Sequence, residues 1–296
     1  MSRPAAAERS GLVVVDKEPG WTSHDVVAKV RKLFGQRRVG HAGTLDPDAT
    51  GVLLVGVGRA TRLLRFLTAA DKTYTGEVVL GTATHTLDAS GEVVGTWDMS
   101  AVTLEQVRAA AGTLTGEIDQ VPPMVSAVKV DGRRLHTLAR QGLEVERAPR
   151  PVVVHRFGVG PSAEPGVFRI VVTCSSGTYV RVLAADLGSA LGGGAHLRHL
   201  RRTSVGSFTE AEAHPIGELT TDDLLTPVEA LRDLEAVGVN EEVARSVAHG
   251  LPVDRVPLGA TGTGPFALLD TGGGLLAVYE ATDTDRLRPA VVLANA

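Results

Sequence analysis

The apolar and polar positions of this chain change period along its length, and each period predicts a different element. Leu12 to Val15 form a continuous apolar run ending at Asp16, which reads as a buried strand after a loose tail over residues 1–10. Thr22 and Ser23 then offer an N-cap to a helix carrying Val26, Val27, Val30, Leu33 and Phe34 on one face. Thr103 to Gln106 has the form of a capping box, and Thr226-Pro227-Val228-Glu229 opens a further helix with proline at the favoured first position. Between these, Val167 to Cys174 alternates with Phe168, Ile170, Val172 and Cys174 on one face, the period of a half-buried strand. A helical pattern follows from about Thr178 to Leu191 and stops at Gly192-Gly193-Gly194.

Strands and helices mix without a regular βαβα alternation, so the pattern predicts an α+β fold with a mixed, largely antiparallel sheet flanked by helices. After about residue 236 the texture changes to one short helix, Glu241 to His249, and then short apolar runs at 266–269, 275–279 and 289–293 separated by Gly- and Thr-rich turns. This predicts a small β-rich domain over 237–296, a compact barrel, beside a large domain over 11–236.

Composition narrows the classes. The chain has 296 residues, 43% apolar and 22% charged, within the range of ordinary folded proteins. No run of about 18 apolar residues and no basic region followed by an apolar segment occurs, so a cytoplasmic protein without a membrane span is expected. Cys174 is the single cysteine, with no partner for a disulfide and no clustered ligands for zinc, and no metal is expected. Its place on an apolar strand face reads as a buried structural thiol rather than a nucleophile.

Net charge is −4 but unevenly spread, with 25 Lys+Arg against 19 Asp+Glu in residues 1–202 and 5 against 15 in residues 203–296. Lys29, Arg31, Lys32, Arg37 and Arg38 form one basic cluster and Arg198, Arg201 and Arg202 another; each is either an RNA-facing surface or a solvated charged face.

Three segments carry residues suited to chemistry. In Val39-Gly40-His41-Ala42-Gly43-Thr44-Leu45-Asp46-Pro47-Asp48-Ala49-Thr50-Gly51, Pro47 biases Asp46 away from the helical region and the glycines permit positive φ or close backbone approach. An acidic side chain is thus held on a restrained turn, either for catalysis or as a simple Asx-Pro turn. Asp71-Lys72-Thr73-Tyr74 and Ser176-Gly177-Thr178-Tyr179-Val180-Arg181 each place a tyrosine beside a cation, and the chain has only 3 tyrosines. No G-x-S-x-G elbow, no phosphate-binding G-x-x-x-x-G-K-[ST] loop and no H-E-x-x-H metal pair is present, which leaves a hydrolase using Asp46 in last place.

The runs GLVVVDKEPGWTSHDVV, VGHAGTLDPDATGVLLVGVGRAT, DKTY, QVPPMVSAVKVDGRRLHTLAR, SSGTYVRVLAADLG and GGAHLRHLRR, in this order over about residues 11–210, resemble the successive signatures of the bacterial tRNA pseudouridine-55 synthase family. The resemblance implies a pseudouridine-synthase-type fold, an appended PUA-like barrel, and isomerisation of a flipped-out uridine in the T-loop of tRNA with neither cofactor nor metal; a monomer is the default expectation. It implies Asp46 as the catalytic carboxylate, Arg181 as its ion-pair partner, Tyr74 stacked on the target uracil, and Tyr179 shaping the pocket floor or touching the sugar. His41 would fill the gap the uridine leaves, with a core histidine as the competing reading, and Lys17 would lie at the pocket edge, with a surface lysine as its competitor. The T-arm would be gripped by the basic helix at 26–38, by Lys129, Arg133, Arg134, Arg140, Arg147 and Arg150 in a mobile segment around Gly142, and by Arg198 to Arg202. The sequence departs from the family pattern at Glu18, Asp48, Val125 and His136, which bears on RNA contact and leaves Asp46, Tyr74, Tyr179 and Arg181 untouched. A non-catalytic RNA-binding or tRNA-folding chaperone on the same fold is the alternative; the retained Asp46, Tyr74 and Arg181 argue against it.

Overall fold

The computed structural model describes residues 9–126, 129–130, 132–134, 141, 143 and 145–293; His136, Arg140 and Gly142, and residues 1–8 of the expected tail, lie outside them. The chain divides into two compact units, one of residues 1–47, 52–68 and 206–296 and the other of residues 48–51 and 69–205.

The first unit begins with strand β1 (Gly11–Lys17), which runs past the predicted end at Asp16. Ser10, assigned to the loose tail by the sequence, instead accepts the Ala60 N–H at 2.9 Å. Helix α1 (Ser23–Phe34) starts with a capping box in which the Thr22 hydroxyl accepts from the Asp25 N–H and Asp25 accepts from the Thr22 N–H, and it ends at Gly35 in the left-handed conformation. Val26, Val27, Val30 and Phe34 form its buried stripe as predicted, but Leu33 is 37% exposed, because Val30 and Phe34, one turn apart, close the stripe without it. Lys29, Arg31, Lys32, Arg37 and Arg38 all remain exposed. Strands β2 (Val39–Ala42) and β3 (Thr50–Val57) pair antiparallel, and the short helix α2 (Leu64–Ala69) follows.

The second unit contains β4 (Lys72–Leu80), the hairpin β5 (Thr82–Thr84) and β6 (Val93–Thr96), α3 (Leu104–Thr113), β7 (Gly116–Gln120), the hairpin β8 (Lys129–Val130) and β9 (Arg133–Arg134), β10 (Arg150–Pro161), β11 (Val167–Cys174), α4 (Val180–Ala190) and β12 (Ala195–Val205). Its main sheet has the order β12-β4-β11-β10-β7, with every neighbouring pair antiparallel. Helix α3 packs on β10 and α4 on β12. Residues Thr50 and Gly51 pair in parallel with Arg201 and Arg202. Gly51 has φ 97, and a Cβ there would sit 2.2 Å from the Arg202 carbonyl oxygen, so only glycine serves.

The chain then completes the first unit with β13 (Phe208–Thr209), β14 (His214–Pro215) beside β1, and a five-stranded sheet in the order β15-β17-β18-β19-β16, made of β15 (Glu235–Gly238), β16 (Val253–Asp254), β17 (Phe266–Leu269), β18 (Leu275–Ala281) and β19 (Arg286–Val292). The three predicted apolar runs are its inner strands, and β15 and β16 are edge strands too short to show a period. Helix α5 (Glu241–Ala248), capped by Asn240, covers a core of Val237, Val247, Phe266, Leu268, Tyr279 and Leu287. The helix predicted from Thr226 is a correction: the Thr226–Glu229 capping bonds form at 2.7 and 3.2 Å, but only one 3-10 turn follows before the chain enters β15. No helix among the described residues is long and apolar enough to cross a membrane. The architecture is α+β, as the alternation of periods predicts.

Candidate active site

Asp46 lies in the turn between β2 and β3, and the residues on both sides of it are tied down within the first unit. The buried Ser23 hydroxyl, at the start of α1, accepts from the Leu45 N–H at 2.9 Å and donates to the Leu45 carbonyl at 3.2 Å. On the other side, the Pro47 carbonyl accepts from the Lys17 ammonium at 2.8 Å and from the Gly20 N–H at 3.0 Å. Leu45 and Ala49 are buried while Asp46 is half-buried, so apolar anchors flank a carboxylate that remains accessible.

Lys17 is therefore not a surface lysine. It is fully buried, and it also donates to the Glu18 carbonyl at 3.0 Å, bridging the end of β1 to the turn that carries Asp46. Burial of an ammonium is tolerated when carbonyl oxygens replace its water, and the strand extends to residue 17 to reach them. His41 is half-buried on β2 opposite Val55, and its ring meets that of the exposed His24 edge-on, with centroids 5.5 Å apart.

The second unit holds Tyr74, Tyr179 and Arg181. Tyr74 is buried on β4, level with Val172 of β11 and Arg202 of β12. Since β11 ends at Cys174, opposite Lys72, and α4 starts at Val180, the start of β4 and the start of α4 share one end of the sheet. Tyr179 occupies the N-cap position of α4, which its side chain cannot cap. The buried Gln120 amide instead fixes the backbone of this cap residue, accepting from the Tyr179 N–H at 2.7 Å and donating to its carbonyl at 3.2 Å.

Arg181 is 5% exposed and donates to the Thr86 carbonyl at 2.8 Å and the Val125 carbonyl at 3.0 Å, with the Asp88 carboxylate 3.3 Å away. Asp88 is oriented in turn by Thr86 and Ser90, whose hydroxyls donate to its other oxygen at 2.7 and 2.6 Å. A guanidinium fixed at these three points has already lost its side-chain freedom before any substrate arrives.

Sequence reasoning missed Ser23, Asp88 and Gln120. Ser23 read only as an alternative cap; Asp88 sits in Thr86-Leu87-Asp88-Ala89-Ser90, whose Asx-turn chemistry was a visible signal; Gln120 ends a strand in which Glu117 and Asp119 face out. Two members of the second basic cluster are a correction: Arg202 is fully buried at an inward position of β12, and Arg198 bonds Glu77 at 2.7 Å and also Glu164. The Arg198 hydrogen bond, with His199 beside it, holds Glu77 below the usual carboxylate range. These arginines are committed to the fold rather than displayed to phosphates. Burial pushes the Cys174 thiol up to about 11, which fits the structural reading of this residue.

Comparison with known proteins identifies the family. Residues 31–180 match the model of the TruB family pseudouridylate synthase N-terminal domain, and residues 181–234 that of the tRNA pseudouridylate synthase B C-terminal domain. The chain is 47% identical over 300 residues to tRNA pseudouridine synthase B of Rhodococcus jostii (strain RHA1), covering 96% of this chain and 95% of that protein. It is 46% identical over 283 residues to the protein of the same name from Arthrobacter sp. (strain FB24), covering 91% and 92%. Among solved structures, the crystal structure of a Cbf5-Nop10-Gar1 complex superposes with a TM-score of 0.75 at 27% identity, covering 96% of this chain and 85% of that one. The matched domains span most of the sequence, and the chain belongs to the TruB family of pseudouridylate synthases.

Proposed function

We propose that this protein converts the uridine at position 55 in the T-loop of tRNA to pseudouridine, with Asp46 as the catalytic carboxylate. The observation that carries the reading is the two-sided anchoring of the Asp46 turn, by Ser23 on Leu45 and by Lys17 and Gly20 on Pro47. Such anchoring holds a reacting group in one geometry before substrate arrives. The names of relatives 46% and 47% identical along nearly their whole length support tRNA as the substrate.

In this reaction the N1–C1′ bond breaks, the uracil rotates, a C5–C1′ bond forms, and the proton lost from C5 is balanced by one gained at N1. Nothing is oxidised or reduced, and the balance calls for no cofactor or metal. Asp46, ionised, starts the reaction at the ribose, by adding to C1′ or by stabilising positive charge as the base departs. Arg181 pairs with Asp46 and favours its charged form. Tyr74 stacks on the uracil, Tyr179 shapes the pocket, and His41 occupies the space vacated by the flipped nucleotide. The exposed cluster of Lys29, Arg31, Lys32, Arg37 and Arg38 contacts T-arm phosphates. The catalytic domain spans 11–236, and 237–296 is an accessory PUA-like module of a cytoplasmic monomer.

The test is to incubate the protein, without added metal or nucleotide, with an unmodified tRNA transcript and to map pseudouridine, with Asp46→Asn alongside. Conversion in the T-loop by the parent alone is expected. Binding by both without conversion by either would reduce the protein to an RNA-binding chaperone.

A further inference from the structure

Alternation along a strand gives the sheet of the second unit two faces, and only one of them carries Tyr74. Tyr74, Val172 and Phe157 share one cross-strand row, whereas the adjacent row, Thr75, Val171 and Gly158, faces the other way. On that opposite face lies an open trough of about 570 Å³ across β4, β11 and β10, rimmed by Arg156, Arg169, Glu77 and His199 and floored by Thr75, Val171, Gly158 and Gly160.

The charge in this trough is one-sided. Glu77, the carboxylate in its lining, is engaged by Arg198 at 2.7 Å and His199 at 3.1 Å. Among the described residues, Arg156 has no carboxylate partner, and Arg169 spends one N–H on the Pro161 carbonyl at 2.8 Å. Two guanidinium forks therefore flank the trough without a compensating anion, and such forks match phosphate oxygens.

The floor adds a supporting argument. Neither Gly158 nor Gly160 has positive φ. A Cβ at Gly160 would meet nothing within 4 Å, and one at Gly158 would make only ordinary contacts, the nearest at 3.6 Å to the Arg156 Nε. Glycine inside a strand weakens it, and here neither backbone conformation nor packing calls for it; close approach of a ligand does.

We propose that this trough is a second RNA-contacting surface, in which Arg156 and Arg169 bind phosphodiester groups of the substrate RNA away from the nucleotide that is isomerised. The proposal rests on RNA being the substrate, as argued above, and not on the identity of the catalytic carboxylate.

The experiment measures the Kd for an unmodified tRNA transcript between 50 and 200 mM salt, together with the single-turnover rate at saturating RNA. The Arg156→Ala/Arg169→Ala variant is expected to bind about tenfold more weakly at low salt, with the slope of log Kd against log salt reduced by about 2, roughly 0.9 for each phosphate that is no longer neutralised. Its saturated rate stays that of the parent. Gly160→Val, which fills the floor, is expected to raise Tm while weakening binding, opposite signs that a purely structural role does not produce. Unchanged Kd and slope in the double variant would overturn the proposal. So would a double variant that binds tRNA normally but loses parental binding of poly-glutamate, which would make the trough a site for an acidic protein. A parent that binds tRNA with the expected arginine-dependent slope yet makes no pseudouridine would sink the proposed reaction and leave the trough standing.

Discussion

Ser23 and Leu45, 22 residues apart, bond each other in both directions, the Leu45 N–H donating to the Ser23 hydroxyl at 2.9 Å and that hydroxyl donating to the Leu45 carbonyl at 3.2 Å. One side chain thus satisfies both backbone groups of the residue before Asp46. The first turn of α1 becomes the mount for the carboxylate, and the capping box of Thr22 and Asp25 fixes that turn.

Removing this hydroxyl leaves a buried N–H without its acceptor, which costs about 1–3 kcal/mol. Ser23→Ala is expected to lower the denaturation midpoint accordingly and to reduce kcat more than it changes KM, since the RNA-facing side chains are untouched. Kinetics on tRNA beside urea unfolding check this; a variant with parental kcat would show that the turn does not need its anchor.

Asp88 holds the buried Arg181 in the second unit beside two carbonyl partners, and Asp88→Asn removes the negative charge from that side of the guanidinium. Breaking a fully buried pair costs about 3–5 kcal/mol, and because Asp88 is 24% exposed the expectation for Asp88→Asn is nearer 1–2 kcal/mol. The larger effect is expected in kcat, with Arg181→Lys failing to restore it because an ammonium lacks the planar fork. Equal loss in stability and none in kcat would assign the pair to folding alone.

How much of this was legible in the sequence depended on whether the signal was local. The N-cap at Thr22, the capping box at Thr103, the alternation from Val167 to Cys174 and the glycine stop after Leu191 are written within a few residues, and each element formed there. The Thr226 signal was local too, but tertiary context overrode it by drawing the chain into β15 after one turn. The burial of Lys17 and Arg202 and the roles of Ser23, Asp88 and Gln120 depend on partners 22 to 93 positions away or on the inward pleat of a strand, which residue type does not reveal. Polar residues read from sequence as surface were the ones most often misplaced.

Cys174 offers a simple check on the core of the second unit. Its thiol is 1% exposed, and burial pushes it up to about 11, so little thiolate exists in the folded state near neutral pH. Iodoacetamide at pH 8 should leave the native protein unlabelled and label it fully in urea, and Cys174→Ala should keep tRNA-modifying activity. Rapid native labelling would mean that the end of β11 is open to solvent.

Lys72, two residues before Tyr74 and opposite Cys174, is 6% exposed on the inward face of β4. Burial first, and then the charge of Arg202, push its ammonium down to about 8 from an ordinary 10.5, with Cys174 and Asp71 acting weakly the other way. The unfolded chain therefore holds this proton to higher pH than the folded one. Below pH 8 both states are protonated and the cost of the buried charge is fully present; between about 8 and 10.5 the unfolded state binds more protons and stability rises with pH. The Cys174 thiol works in the opposite sense between about 9 and 11, because there the folded state keeps the proton longer. Measuring urea unfolding in a Cys174→Ala background removes that second contribution. In that background the unfolding free energy of the Lys72 protein minus that of Lys72→Met should climb by about 1–3 kcal/mol from pH 8 to pH 10.5, with most of the rise complete by the upper end. A difference that stays flat with pH would place the ammonium in solvent and remove the buried cation from the strand that carries Tyr74.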